Sequence, residues 1–70
     1  MLPLTFVTPG EKNSIKKIMG KDDTRQFLET LGFVPGSLVV VVSKLNGNVI
    51  VNIREARIAI SSEMAGKIMV

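Results

Sequence analysis

The chain has 70 residues, of which 46% are hydrophobic, and this length allows one hydrophobic core in a single domain over residues 1–70. It contains neither cysteine nor histidine, which excludes disulfides, thiolate metal sites and the imidazole ligands that bind zinc, iron or copper. Nine Lys and Arg against six Asp and Glu give a net charge of +3, which indicates a solvated basic surface or, alternatively, an acidic partner.

The apolar residues do not form a targeting signal or a membrane span. Residues 1–7 are interrupted by Pro3 and lack a preceding basic region. The longest apolar run, residues 38–42, is much shorter than the ~20 residues of a spanning helix. We therefore expect a soluble cytoplasmic protein that does not insert directly into the membrane.

Two short segments near the start of the chain are predicted as strands. Residues 2–7 place Leu4 and Phe6 on one face, and the Pro-Gly pair that follows ends the segment. Residues 14–19 combine three apolar side chains with two lysines between them. This mixed pattern is typical of a strand with a bulge or a bend.

The strongest helix signal precedes Gly32, a residue suited to a left-handed helix cap. Asp22 and Asp23 lie at the predicted start, where carboxylates cap the helix and complement its dipole. The apolar side chains form one narrow stripe, namely Phe27, Leu28 and Leu31. Because a helix of about ten residues is marginal alone, we expect this stripe to pack on a sheet.

The second half of the chain begins with the pattern of a hairpin. Residues 38–42 are a leucine followed by four valines, and the lack of polar alternation predicts a strand covered on both faces. Asn46 and Gly47 have the composition of a tight turn. Residues 49–53 should therefore return antiparallel to the preceding strand.

A further strand and a final one complete the predicted sheet. Residues 56–60 alternate, with Arg57 pointing away from the apolar face. Residues 61–65 have the composition of a single helical turn. Residues 67–70 end on apolar side chains, so we expect a last strand that closes a barrel.

Together these elements predict a mainly β fold, a small five-stranded and partly open barrel. One short α-helix lies between its first and second main strands, and a helical turn precedes its last strand. No internal repeat, low-complexity segment or linker divides the chain.

The sequence has no recognisable catalytic pattern. Its six glycines are scattered singly and do not form a phosphate-binding loop. Without histidine, the remaining pairings of a nucleophile with a base are between Ser and Lys, such as Ser43 with Lys44, and they are poor candidates. The adjacent carboxylates Asp22 and Asp23 are better explained as helix capping than as an acid and base pair. We therefore predict a protein that is not an enzyme.

The aromatic content argues against a nucleic-acid partner. Small barrels that bind nucleic acid combine basic side chains with exposed aromatic platforms. This chain has no Tyr or Trp, and Phe6, Phe27 and Phe33 lie in apolar patterns that predict burial. Although Arg54 and Arg57 would suit phosphate groups, we do not expect nucleic acid to bind.

Three exposed segments are candidates for contact with a protein partner: the helix, the tip of the first hairpin and the turn after it. Small barrels recognise other proteins through a strand edge, a helix or a loop tip, although each segment would also serve as ordinary solvated surface. The candidate partner-binding residues are Arg25, Gln26, Lys44, Asn46, Asn48, Arg54, Glu55 and Arg57.

The order of these features resembles the ferrous iron transport protein A (FeoA) family over nearly the whole chain. A Leu-Gly-Phe-x-Pro-Gly segment at residues 31–36 follows the helix and leads into the valine strand. An Arg-Ile-Ala-Ile segment at residues 57–60 and an Ile-Met-Val segment at residues 68–70 then follow in order. Members of the family often have Arg directly before the helical Leu, where this chain has Phe27 and places Arg25 two residues earlier.

The resemblance implies an SH3-like β-barrel with a cytoplasmic accessory role in ferrous iron uptake. Its implied partner is FeoB, a membrane-embedded iron transporter with a GTPase region that this chain would bind and modulate. The resemblance brings no active site, cofactor or membrane insertion. Iron-dependent repressors have a related barrel, but the DNA-binding helices that accompany it there are absent from this sequence.

Two other hypotheses stay open. In the first, Asp22, Asp23, Glu29 or Glu63 binds a divalent metal ion weakly through oxygen ligands. In the second, the barrel binds nucleic acid through phosphate contacts. Self-association into a homo-oligomer through an exposed barrel edge is compatible with each hypothesis.

Overall fold

The computed structural model describes residues Met1–Val70 and contains six strands and two α-helices. The strands are β1 (Lys12–Ser14), β2 (Lys17–Ile18), β3 (Leu38–Leu45), β4 (Asn48–Ile53), β5 (Ala56–Ser61) and β6 (Ile68–Met69). The helices are α1 (Asp22–Thr30) and α2 (Ser62–Ala65), and a 3-10 helix covers Leu4–Phe6. One antiparallel sheet has the order β1-β3-β4-β5, and a second pairs β2 with β6. The predicted mainly β fold is confirmed, although the two sheets do not close into one barrel.

A bend at Ile15 and Lys16 passes the chain from the larger sheet to the smaller one. The Ile15 N–H donates to the Ser37 carbonyl at 2.9 Å, whereas the Lys16 N–H donates to the Met69 carbonyl at 2.7 Å. The Ile15 side chain is buried at the bend. The strand with a bulge or bend predicted over residues 14–19 is therefore confirmed, and the bend separates two short strands.

The meander from β3 to β5 follows the predicted pattern. Asn46 and Gly47 have φ angles of 49° and 79°, the left-handed conformation that a two-residue hairpin turn requires. The pairing of β3 with β4 shifts register once, between Val41 and Ser43. The pairing of β4 with β5 is continuous along both strands. The predicted hairpin and the strand after it are confirmed.

The start of the chain differs from the prediction. Residues 2–7 form no regular strand, because Leu4–Phe6 is a 3-10 helix and only Pro3 makes an isolated bridge to Met69. Three residues per turn place Leu4 and Val7 on the same buried side. Phe6 consequently points outward and is 75% exposed, so the prediction that it lies in the core is wrong.

Helix α1 also differs in detail. Lys21 is the N-cap residue and makes no side-chain cap, while Asp22 and Asp23 lie inside the first turn. The two carboxylates therefore act on the helix dipole and not as caps. Leu28 is the buried residue of the helix, and Phe27, rotated by about 100° from it, is 48% exposed. The predicted burial of Phe27 is wrong, whereas that of Phe33 is correct.

The core covers only the inner face of the larger sheet. Val39 and Val41 of β3 are buried in it, together with alternate residues of β4 and with Ile60 of β5. The other residues of β3 are not fully buried, and Leu38 is 59% exposed. The prediction that residues 38–42 are covered on both faces is therefore wrong, because no second layer of this chain lies over the outer face.

The last part of the chain is held by pairing on both sides of β6. Met69 lies opposite Lys17 of β2 and also bridges to Pro3. Leu2 and Val70 exchange two backbone hydrogen bonds, each 2.9 Å long. The helical turn predicted at residues 61–65 is confirmed as α2, with Ser61 as its N-cap. The final strand is also confirmed and is confined to Ile68–Met69.

Candidate functional site

One row of side chains crosses the outer face of the four-stranded sheet. Lys12 of β1 lies opposite Val40 of β3, Val40 opposite Asn52 of β4, and Asn52 opposite Arg57 of β5. Directly opposed residues of a sheet project to the same face. Both chain neighbours of Val40 are buried in the core, so the row lies on the side that faces solvent.

Two shallow depressions follow this row, and both are lined by Asn52 and Arg54. The first has a volume of about 340 Å³ and is lined by Asn52, Arg54, Glu55, Ala56 and Arg57. The second has a volume of about 370 Å³ and is lined by Lys12, Ser37, Leu38, Val40, Asn52 and Arg54. They form one continuous surface, here called the basic face, with three cationic side chains and a single carboxylate.

The Arg57 side chain is held in place on the basic face by its cross-strand neighbour. Its Nε donates a hydrogen bond of 3.1 Å to Oδ1 of Asn52. This is the one hydrogen bond that the guanidinium makes within the chain, so its terminal nitrogens keep their donors for a ligand. A planar guanidinium that is already oriented suits the two oxygens of a carboxylate.

Arg54 occupies an unusual backbone conformation at the β4 to β5 turn. Its φ is 54°, a value that glycine or asparagine adopts more readily than a long side chain. The side chain extends toward Gly32, which lies just after the end of α1. A Cβ placed on Gly32 would lie 3.4 Å from Arg54 Cδ and Nε. Such local strain is concentrated at functional sites in proteins, which marks this turn for attention.

The structure divides the predicted partner-binding residues among three places. Arg54, Glu55 and Arg57 lie together on the basic face. Lys44, Asn46 and Asn48 lie at the other end of the β3–β4 hairpin, separated from them by the length of β4, roughly 20 Å. Arg25 and Gln26 lie on the exposed surface of α1.

Two of the predicted cationic residues outside the basic face already have partners in the chain. Arg25 forms an exposed ion pair with Asp22, one helical turn earlier. Lys44 Nζ donates a 2.5 Å hydrogen bond to the Thr5 carbonyl. The Lys44 ammonium is thus directed toward the 3-10 helix, and its bond ties that helix to the hairpin.

The residues of the basic face that were not predicted from the sequence come from β1, β3, β4 and β5 and from the residue before β3. They are Lys12, Ser37, Leu38, Val40, Asn52 and Ala56. The valine run did not show that one of its faces is exposed, because the sequence does not distinguish an apolar side chain on an exposed face from a buried one. The polar residue Asn52 between the apolar residues of β4 was the available signal that this face is open.

The acidic residues do not converge on a metal site. No group of three or more Asp or Glu side chains lies close enough together to hold a metal ion. Asp22, Asp23 and Glu29 lie on α1, whereas Glu63 lies on α2. Neither helix has the length and apolar composition needed to cross a membrane.

Comparison with known sequences places the whole chain in one set of relatives. The FeoA domain family model matches residues 2–70. A protein of Methanocaldococcus jannaschii described as Fe(2+) transport protein A is 39% identical over 70 residues, which cover 100% of this chain and 85% of the relative.

Solved structures show the same fold. The crystal structure of an iron uptake regulatory protein (FeoA) superposes with a TM-score of 0.89 at 33% identity and covers 99% of this chain and 92% of that one. Iron(II) transport protein A from Clostridium thermocellum has a TM-score of 0.86 at 23% identity over 96% of this chain and 43% of its own. A manganese-dependent transcriptional repressor has a TM-score of 0.86 at 19% identity over 94% of this chain and 38% of its own. The last two comparisons concern the fold alone, with which an SH3-like arrangement is compatible.

Proposed function

Because this chain belongs to the FeoA domain family, we propose that it is a cytoplasmic accessory protein of ferrous iron transport that binds a FeoB-type membrane transporter and modulates its GTPase region. The family match and the relative's description support the assignment to ferrous iron transport. Binding of the transporter is the further step. In this proposal the chain acts by docking, and the transporter carries out the nucleotide chemistry.

The basic face is the observation that carries the proposal. It brings Arg54, Glu55 and Arg57 together around one depression, next to the exposed apolar side chain of Leu38. Protein interfaces typically combine arginine with apolar contact area, and arginine is frequent among the residues that dominate binding energy. The Arg57 guanidinium is also pre-oriented by Asn52, which lowers the entropic cost of binding.

The direct test is capture of the cytoplasmic GTPase region of a FeoB-type transporter by this chain, with GTP turnover measured as the chain is titrated. We expect saturable association and a turnover rate that changes in parallel with occupancy. If the chain neither associates with the GTPase region nor changes its turnover, the proposed function is refuted.

Three charge reversals locate the contact, because each makes the same change in net charge at a different place. Arg57→Glu changes the basic face, Lys44→Glu the hairpin tip, and Arg25→Glu the helix. We expect Arg57→Glu to weaken capture by about tenfold or more, corresponding to a loss of about 1.4 kcal/mol or more. The other two variants should change it by less than about threefold, as rim charges do. A larger effect at Lys44 or Arg25 would move the contact to that surface.

A further inference from the structure

Strand β5 is an open edge of the four-stranded sheet. It is the last strand in the order and pairs only with β4. None of the backbone hydrogen bonds in the turns, loops and caps of the chain involves the N–H or C=O of Arg57 or Ala59. Half of the backbone groups of β5 are therefore directed away from the sheet.

The hydrogen-bonding phase of the ladder identifies which groups these are. Ile53 and Ala56 flank the two-residue turn and form a hydrogen-bonded pair, and such pairs alternate with non-bonded ones along an antiparallel ladder. Beyond the other end of β5, the Ser62 N–H donates to the Gly47 carbonyl at 2.9 Å, in agreement with this phase. The N–H and C=O groups of Arg57 and Ala59 consequently point outward from the edge.

Apart from the charged side chain of Arg57, the edge at β5 lacks the devices that usually protect such strands. The opposite edge, β1, has three residues and includes Lys12, and short strands with lysine are common protection against pairing. In contrast, β5 has six residues, contains neither Lys nor Pro, and pairs with β4 without a bulge. A long regular edge of this kind is a template for an added strand.

The charges beside the edge indicate the chemistry of the strand that would fit. Arg57 projects to the outer face, and Arg54 lies at the adjacent turn, with Glu55 as the only carboxylate around that depression. A residue opposite Arg57 on an added strand would lie on the same face, where a carboxylate would pair with the guanidinium. On the other face, an apolar residue would cover Ile58, which is partly buried against the core.

We propose that β5 receives an acidic extended segment of the partner as an additional strand. This inference rests on the proposed function, because the segment would belong to the transporter. Its backbone bonds to the N–H and C=O groups of Arg57 and Ala59. Its carboxylates pair with Arg57 and Arg54, and its alternate residues are apolar.

A second copy of this chain would fit the edge less well. Because β5 contains no acidic residue, pairing of two β5 strands would leave both Arg57 side chains without a carboxylate in the ladder. A nucleic acid would satisfy the arginines but would leave the strand N–H and C=O groups without a backbone partner. An acidic peptide strand satisfies both sets of groups.

The test uses the full chain and a synthetic peptide of about ten residues that alternates glutamate with valine, with a lysine and valine peptide as the charge control. Amide exchange is followed by NMR. We expect the acidic peptide at saturation to slow exchange at Arg57 and Ala59 by about tenfold or more, because each amide gains a hydrogen bond to the peptide. The lysine peptide should leave both amides unprotected.

Two variants separate the backbone contact from other effects. Ala59→Pro removes an N–H that makes no hydrogen bond to β4. The fold should therefore persist, because proline is tolerated on edge strands where the missing N–H faces away from the sheet. We expect this variant to weaken peptide binding by about tenfold, because the Ala59 N–H can no longer donate to the peptide and the proline ring disturbs the contact around it. Ala59→Thr keeps the N–H and should bind as the unchanged chain does. If Ala59→Pro fails to fold, the exchange rates of the unchanged chain decide the question alone.

The outcomes distinguish this strand from the proposed function. Capture of the GTPase region without protection of Arg57 and Ala59 would overturn the added strand and leave the proposed function standing. Peptide binding without capture would keep the acidic strand site and refute the transporter as partner. Binding of neither probe, tighter binding of a single-stranded oligonucleotide, or dimerisation that protects the same amides without peptide would overturn the proposal.

Discussion

Phe33 and Phe6 are the same residue type in opposite environments. Phe33 is fully buried in the core, where it follows α1, whereas Phe6 is 75% exposed on the 3-10 helix. The side chain of Phe33 therefore contributes both transfer from water and close packing to stability, and that of Phe6 contributes little of either.

We expect Phe33→Ala to lower the free energy of unfolding by about 3–5 kcal/mol, because it removes buried atoms and leaves a cavity. Phe6→Ala should change it by less than about 0.5 kcal/mol, as exposed substitutions do. Urea denaturation followed by circular dichroism measures both. Similar losses at the two positions would contradict the burial described above.

At the scale of elements, the two helices begin differently. Ser61 caps α2, with its Oγ accepting a 3.2 Å hydrogen bond from the Met64 N–H. Lys21 occupies the same position on α1 and supplies no cap, so backbone donors of the first turn lack a side-chain partner there. Lys21 already has an extended backbone, with φ −75° and ψ 162°, which suits a capping residue.

We therefore expect Lys21→Ser to raise the free energy of unfolding by about 0.5–1 kcal/mol through a new cap. Lys21→Ala removes the same positive charge from the helix start without adding an acceptor, and it is the matched control. The gain of serine over alanine in thermal or urea denaturation isolates the cap. Equal stability of the two variants would show that the cap does not form.

For the whole molecule, the distribution of charge separates stability from binding. Arg25 and Asp22 form the single ion pair, and it is exposed on α1. The fold is held by an entirely apolar buried core, with no buried charged side chain. The cations of the basic face, by comparison, form no ion pair, and Glu55 is the one carboxylate that lines its depressions.

Raising sodium chloride from about 50 to about 500 mM should thus change the free energy of unfolding by less than about 1 kcal/mol. The same change should weaken association with the GTPase region several-fold, because an unpaired basic surface depends on unscreened attraction. Denaturation and capture at matched salt concentrations test this. Parallel losses would indicate that salt acts through the fold and not through the basic face.

Local sequence was enough to predict the elements whose geometry depends on neighbouring residues. Asn46 and Gly47 turn the first hairpin because their backbones readily adopt positive φ, and Gly32 ends the α1 region with a φ of 104° for the same reason. The resemblance of the ordered segments to the FeoA family also came from sequence, and the family match over residues 2–70 confirms it.

Which apolar residues pack into the core depends on how the strands and helices are arranged in space. Leu38 and Val40 belong to the same run as Val39 and Val41, yet the first pair lines an open depression and the second is buried. Burial depends on whether another layer covers a face, and that layer comes from distant parts of the chain. The same holds for the candidate site, because strand pairing, and no local signal, brings Lys12, Asn52 and Arg57 into one row beside an unpaired edge.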